Sequence, residues 1–158
     1  GLYLLTNVLG GPGMNSRLNM LLREKYGFTY HVESNYQPYS DSGHFSIYLG
    51  TDTISVEKSI ALVFRELKLL REKKMGTLQL QRAKQQMTGQ IAISFESSLN
   101  EMLSAGKSLL YRNTVDTLPE IYEKIERCTA DELREIANEI FIQDQFTMLS
   151  YKSVRDEH

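Results

Sequence analysis

Two side chains, Arg23 and Tyr30, have the types and the spacing that best fit binding or catalytic chemistry. A guanidinium offers a rigid fork of donors for carbonyl or carboxylate oxygens, and a tyrosine hydroxyl can donate to a developing oxyanion. A helix–turn–strand unit between them would bring both groups into the same space. The helix dipole also accounts for an arginine near a helix end, and Tyr30 alternates in phase with Phe28 and Val32, which is typical of a core. The spacing alone therefore favours structural roles for both.

The histidines do not form a recognisable metal-binding pattern. His31 and His44 are expected on the polar faces of two pairing strands, so their rings could approach each other. Neither has a carboxylate or cysteine three or four residues later, the motif H-x-x-E-H is absent, and His158 belongs to the end of the chain. Because metal sites need a defined ligand set, we expect no metal in this chain.

Two other features could suggest chemistry, but the sequence supports each only weakly. Cys128 precedes a predicted helix start, which can lower a thiol pKa, yet no histidine is near it in sequence, so a buried or half-buried structural role is favoured. The segment Gly10-Gly11-Pro12-Gly13 lacks the lysine and spacing of a phosphate-binding loop. Gly10 and Gly11 are therefore interpreted as part of a sharp turn or a peptide-contacting loop.

The composition narrows the function classes. The chain has 158 residues, with 18 basic and 20 acidic side chains and a net charge of −2, which argues against nucleic acid as a partner. No run approaches the roughly 20 apolar residues of a membrane span, so no membrane partner is expected. A single cysteine and the lack of a signal-like start predict a cytoplasmic location, with periplasm and mitochondrion left open. The start at Gly1 is expected of a piece of a longer protein.

The hydrophobic periodicity predicts an α+β fold. Helices are predicted at residues 2–9, from a cap at Asn15 to Gly27, and from Thr53 onward, whereas residues 28–36 and 44–49 alternate as two antiparallel strands. Capping boxes at Ser98-x-x-Glu101, Thr117-x-x-Glu120 and Thr129-x-x-Glu132 predict helices at 98–111, 118–127 and 130–140. A last strand is predicted at 146–151. We expect one domain at 1–152, an antiparallel sheet with helices packed on one face, and a polar tail at 153–158.

A series of short motifs resembles the second, non-zinc-binding domain of insulinase/pitrilysin-type zinc peptidases, a family that includes the mitochondrial processing peptidases and bacterial relatives. The first motifs are Leu9-Gly10-Gly11, Met14-Asn15-Ser16-Arg17-Leu18 and Leu22-Arg23-Glu24-Lys25-Tyr26-Gly27-Phe28-Thr29-Tyr30. The later motifs occur in the same order as in the family, and they are Asp41-Ser42-Gly43-His44-Phe45, Gly50-Thr51, Glu66-Leu67, Ala83-Lys84 and Glu96-Ser97. The resemblance covers about residues 2 to 151.

The resemblance implies a metallopeptidase-like fold that lacks its first strand, in an enzyme whose zinc motif H-x-x-E-H belongs to another domain. Arg23 and Tyr30 match the family's arginine and tyrosine, which implies that they bind the substrate backbone and stabilise the tetrahedral intermediate. Gly10 and Gly11 are expected beside them as substrate-binding residues. A β-bulge near the start of the strand would free Tyr30 from the buried face.

The leading hypothesis is therefore a substrate-positioning C-terminal domain of a zinc metallopeptidase that hydrolyses peptides in an enclosed chamber and is inactive alone. Its zinc would come from an N-terminal zinc-binding domain or a homologous partner subunit, and a homo-oligomer is a further expectation. Two alternatives are left open: an inactive scaffold or regulatory subunit of the same fold, and a module that binds peptides along a strand edge.

Overall fold

A computed structural model describes residues 1–151, so the predicted tail at 153–158 lies outside the described residues. The helices and strands are, in chain order, α1 (Leu2–Gly10), a π-helix (Asn19–Lys25), β1 (Thr29–Pro38), β2 (Gly43–Thr51), α2 (Val56–Glu72), α3 (Thr77–Phe95), α4 (Ser98–Arg112), α5 (Leu118–Arg127) and α6 (Ala130–Ile140). Two short 3-10 helices cover Thr53–Ser55 and Gln143–Gln145. That residues 1–152 form a single domain stays a prediction.

The two strands form an antiparallel hairpin, as the alternation predicts. The hairpin closes through a hydrogen bond from the Tyr39 amide to the Ser42 carbonyl at 2.9 Å. Val32 and Ser34 are buried on the inner face of β1, while His31 and Glu33 are exposed on the outer face. The helices lie against the inner face, and the predicted α+β class is confirmed.

The core lies between the inner face of the hairpin and four helical segments, α1, the π-helix, α2 and α6. Leucines dominate it because the apolar stripes of these helices meet there. Its largest fully buried side chains, each at most 2% exposed, are Leu4, Leu5, Leu9, Leu18, Leu22, Leu67, Leu133 and Phe141. The π-helix thus buries its leucines, and this fixes the segment that carries Arg23.

The capping boxes of α5 and α6 form as predicted. The Thr117 amide donates to the Glu120 carboxylate at 2.7 Å, and the Thr129 amide donates to Glu132 at 2.7 Å. The predicted box at Ser98 is wrong, because α4 is capped one residue earlier. The Ser97 hydroxyl accepts from the Asn100 amide at 3.4 Å, and Ser97 has the extended backbone of a cap residue.

Asn15 does not cap the second helix, which corrects another prediction. Its side-chain amide donates instead to the Gln86 side chain of α3 at 2.8 Å. The Ser16 carbonyl accepts from the Met20 amide, so the helical hydrogen bonds begin one residue later. A contact with a residue 71 positions away decided the conformation of Asn15.

The predicted strand at 146–151 does not form. Among residues 1–151 the sheet contains β1 and β2 alone, and a strand needs a hydrogen-bonded neighbour. Phe146 still packs, with its ring 5.7 Å from Phe64 and 6.3 Å from Phe45, but Met148 and Leu149 are exposed. Within this segment Phe146 alone is partly buried.

Helix α4 differs from the other α-helices because none of its residues, 98–112, is buried. It exposes a set of large apolar side chains, Leu99, Met102, Leu103, Leu109, Leu110 and Tyr111. Because α4 lies outside the core, the other helices supply the apolar burial that stabilises the fold. Across residues 1–151, none of the helices is both long enough and apolar enough to cross a membrane.

Three carboxylates give the fold a predictable dependence on acid. Hydrogen bonds from Lys124 to Asp116 and from Lys74 to Asp131 hold the pKa of each carboxyl below its ordinary value, and the Thr117 backbone amide lowers the pKa of Glu120. The unfolded chain then binds more protons, so stability is present at neutral pH and is lost as the pH falls through about 4.

We expect the free energy of unfolding, measured by urea titration, to decline between about pH 5 and pH 3, with a shallower decline after Asp116→Asn, Glu120→Gln and Asp131→Asn together. Asp144→Asn, at an exposed acid in the second 3-10 helix, is the control and should keep most of the wild-type slope. A triple variant with the full wild-type slope would contradict this assignment.

Candidate functional site

Arg23 lies in the last turn of the π-helix, directly after two buried leucines, Leu21 and Leu22. The wider turn of a π-helix is uncommon and occurs often at functional sites. The Arg23 side chain is 46% exposed, and its Nε lies 3.7 Å from a carboxylate oxygen of Glu24. Anchored at its base and exposed at its tip, the guanidinium can meet a ligand at the surface.

The turn after the π-helix directs the chain straight back into β1. Gly27 adopts a left-handed conformation, with φ at +62°, which side chains with a Cβ rarely adopt. Its amide donates to the Arg23 carbonyl at 3.1 Å, and the Phe28 amide donates to the Leu22 carbonyl at 2.8 Å. The predicted helix–turn–strand unit, with Gly27 ending the helix, is therefore present.

Tyr30 lies in a β-bulge and is exposed. Thr29 pairs with Thr51 and His31 pairs with Gly50, so Tyr30 is the extra residue between them. A regular strand would have placed Tyr30 on the buried face with Val32, whereas here its side chain is 73% exposed. Arg23 and Tyr30 thus lie exposed on the two arms of one turn. Within residues 1–151 no hydrogen bond joins them, and their role is a prediction to be tested.

Gly10 and Gly11 are buried and have packing roles. A Cβ on Gly10 would lie 2.7 Å from the Ser34 backbone nitrogen, so α1 approaches β1 closely there. The Gly11 amide donates to the Asn7 carbonyl at 2.9 Å and ends α1. Their contact with substrate stays a prediction.

A row of side-chain hydrogen bonds, missed by the sequence analysis, fixes α1 and the segment after it against α3. The Asn7, Asn15 and Arg17 side chains donate to three glutamines of α3, at distances of 2.5, 2.8 and 3.3 Å. The acceptors are Gln90, Gln86 and Gln79 respectively. Arg17 also lies 3.6 Å from Glu66 of α2. The helical spacing of the three glutamines is the signal that could have indicated this face.

His31 and His44 are exposed strand residues, and the close approach that the sequence left possible does not occur. His31 pairs with Gly50 and His44 with Gln37, so six residues of β1, or about 20 Å at 3.3 Å per residue, separate them. His31 instead lies 3.4 Å from Glu33 and 5.7 Å, ring to ring, from Tyr48. Residues 1–151 contain no group of three metal-ligating side chains, and His158 lies outside this range. The donor set therefore does not fit zinc.

Cys128 is half-buried between α5 and α6, as expected of a structural cysteine. Its thiol donates to the Lys124 carbonyl, with Sγ at 3.4 Å from the oxygen. This contact satisfies the thiol locally.

The fold and the comparisons together define the class of this protein. The chain belongs to the peptidase M16 inactive domain family, whose model matches residues 1–87. The prediction of a non-zinc domain of an insulinase/pitrilysin-type zinc peptidase is confirmed.

Among curated relatives, the chain is similar to an uncharacterized zinc protease, YmxG, of Bacillus subtilis, with 32% identity over 90% of the chain and 35% of the relative. A zinc protease of Rickettsia felis is 34% identical over 87% of the chain and 33% of the relative. The mitochondrial-processing peptidase subunit alpha of Homo sapiens is 24% identical over 83% of the chain and 25% of the relative. The chain thus spans about a third of the length of the bacterial relatives.

Solved structures agree with the fold. A peptidase M16 inactive domain from Pseudomonas fluorescens is 26% identical, with a TM-score of 0.72 over 86% of this chain and 32% of that one. A protease from Helicobacter pylori has a TM-score of 0.76 over 90% of this chain and 34% of that one. Its sequence identity is 22%, so it supports the fold alone.

Proposed function

We propose that this chain is the substrate-positioning domain of a zinc peptidase that hydrolyses unstructured peptides in an enclosed chamber. The observation that carries the proposal is the bulge that brings Tyr30 to the surface, on the same turn as the exposed Arg23. Arg23 would hold carbonyl oxygens of the peptide backbone with its fork of donors. The Tyr30 hydroxyl would donate to the oxygen on which negative charge develops.

The pair between Arg23 and Glu24 does not prevent this role. Both side chains are 46% exposed and their nearest charged atoms are 3.7 Å apart. An exposed ion pair of this kind contributes at most about 1 kcal/mol, so a peptide carbonyl can displace the carboxylate at small cost. The guanidinium is thus held near the surface without being committed to one partner.

Zinc would be supplied from outside these residues, in an N-terminal domain of the same protein or in a homologous partner subunit. Supporting this are the relatives described as zinc proteases, of whose length the chain spans about a third. We infer that the chain alone does not hydrolyse peptides. We also propose that the protein is located in the cytoplasm and forms a homo-oligomer.

The first test is a complementation assay with a fluorogenic unstructured peptide. The isolated chain with added zinc should give no hydrolysis, because residues 1–151 contain no cluster of three zinc-ligating side chains. The complete protein, or the chain mixed with its zinc-bearing half, should hydrolyse the peptide. The zinc-bearing half alone is the control and should be nearly inactive. Hydrolysis by the isolated chain that depends on zinc would overturn the proposal.

One observation favours a second candidate, a module that binds extended peptides along a strand edge. Within residues 1–151 β1 and β2 pair with each other alone, and an unpaired strand edge can accept a further strand. Peptide binding through the main chain would be insensitive to Arg23→Ala and Tyr30→Phe. Peptide affinity that falls in both variants would favour the peptidase domain over this module, and over a scaffold that has lost its substrate site.

A further inference from the structure

The side chain of Tyr30 lies on the outer face of the hairpin, above a position where the opposite strand has no side chain. The bulge moves Tyr30 onto this face, and the residue opposite its neighbour His31 is Gly50. A Cβ on Gly50 would lie 2.5 Å from Cζ, 2.6 Å from the hydroxyl oxygen and 2.7 Å from Cε2 of Tyr30. The hydroxyl-bearing edge of the ring therefore lies against the Gly50 backbone.

Gly50 is needed for space and not for its backbone conformation. In residues 1–151 Gly27 is the single glycine with a positive φ, so alanine could adopt the backbone of Gly50 without strain. Real Cβ atoms do not approach other heavy atoms as closely as 2.5 Å, so a methyl group there would displace the Tyr30 ring. Gly50 is buried although it lies on the outer face, as expected if the ring covers it.

The backbone beneath the ring is held on both sides of the bulge. The Thr51 hydroxyl donates to the Phe28 carbonyl, and the Phe28 amide donates to the Leu22 carbonyl at 2.8 Å. Leu22 is fully buried. The strand end, the bulge and the base of Arg23 are thus joined through Phe28, and the ring itself is the part left free to move.

We propose that Gly50 is a positioning residue that fixes where the Tyr30 hydroxyl lies, and that Thr51 supports it by holding the bulge. This inference rests on the proposed function, because it assigns Gly50 a role through Tyr30. A shift of about 1 Å in a catalytic group can lower a rate about 100-fold. The side chain at position 50 would then set the rate of hydrolysis without touching the peptide.

The first experiment measures kcat and KM of the complete peptidase carrying Gly50→Ala. We expect kcat/KM to fall roughly 10- to 100-fold, mainly in kcat, because the hydroxyl acts as charge develops. In a Tyr30→Phe background the same substitution should change kcat/KM less than about twofold, since the hydroxyl is already absent. Gly106→Ala is the matched control, because a Cβ there meets no atom within 4 Å.

The outcomes separate this inference from the proposed function. Full activity in Gly50→Ala together with low activity in Tyr30→Phe would overturn the role of Gly50 and leave the proposed function standing. Full activity in Tyr30→Phe would overturn the proposed function itself. Equal losses from Gly50→Ala in both backgrounds would indicate a purely structural effect and would also overturn the inference.

The second experiment tests the geometry without catalysis, by NMR of the 158-residue chain. The Gly50 α-protons should carry a ring-current shift from the Tyr30 ring, and the shift should persist in Tyr30→Phe and vanish in Tyr30→Ala. Tyr48→Ala, at another exposed tyrosine of the hairpin, should leave most of the shift. Unshifted Gly50 protons in the unmodified chain would overturn the inference whatever the activity of the variants.

Discussion

Arg23→Ala and Tyr30→Phe should each lower kcat/KM of the complete peptidase roughly 10- to 1000-fold, which corresponds to about 1.4 to 4 kcal/mol of transition-state stabilisation. The two losses should differ in kind. The Tyr30 hydroxyl donates to an oxygen whose charge develops in the transition state, so its removal should lower kcat. Arg23 also holds the peptide in the ground state, so its removal should raise KM as well.

Steady-state kinetics on an unstructured peptide, with zinc content measured in parallel, would check this prediction. Zinc content should be unchanged, because residues 1–151 contain no cluster of three zinc-ligating side chains. Tyr48→Phe and Arg65→Ala are suitable controls, since both residues are exposed and neither lies on the turn between the π-helix and β1. Normal turnover in both Arg23→Ala and Tyr30→Phe would show that this turn takes no part in hydrolysis.

Features decided within a few residues could be predicted from the sequence. The turn at Gly27 depends on one residue that tolerates a positive φ, and each of the boxes at Thr117 and Thr129 depends on a glutamate three residues away. The antiparallel hairpin likewise follows from alternation on either side of a short polar loop. In each case the interacting groups are close in the chain, so no distant partner can override the local preference.

Features decided by distant partners were predicted wrongly. Asn15 has the side chain of a good helix cap, but Gln86 of α3 holds it instead. The segment 146–151 was predicted as a strand, but no neighbouring strand pairs with it among the described residues. An approach of His31 to His44 was possible as long as the strand register was unknown, but the register places them six positions apart along β1.

The sequence proposed the residues of the candidate site but did not predict their geometry. Composition and spacing identified Arg23 and Tyr30, and the family motif assigned them a role, yet strict alternation placed Tyr30 in the core. A bulge near Thr29 was the single local change that could resolve this conflict, and the register contains it. Gly50 was visible only as part of a motif, because its relation to Tyr30 depends on how the two strands pair.

The largest effect on stability is expected from Phe141→Ala. Phe141 follows α6, is 2% exposed, and its ring lies 4.9 Å from that of Phe45 in β2. Its carbonyl also accepts from the Arg71 guanidinium of α2 at 3.4 Å. The residue therefore joins α6, α2 and the hairpin, and truncation would leave a cavity where the three meet, at a cost of about 3–5 kcal/mol.

In a domain of this size each kcal/mol lowers Tm by about 2–4 °C, so thermal unfolding followed by circular dichroism should show a Tm lower by roughly 6–20 °C. Tyr111→Ala, which removes an aromatic ring that is 69% exposed on α4, is the control and should change stability by less than about 0.5 kcal/mol. Equal changes in the two variants would mean that Phe141 does not join these elements.

The hairpin carries both Phe45 on its inner face and Gly50 on its outer face, so loss of the core contact should also broaden the NMR signals of Gly50. Phe141→Ala should therefore both lower the stability of the core and disturb the position of the Tyr30 ring. Gly50→Ala should disturb the position of the ring alone.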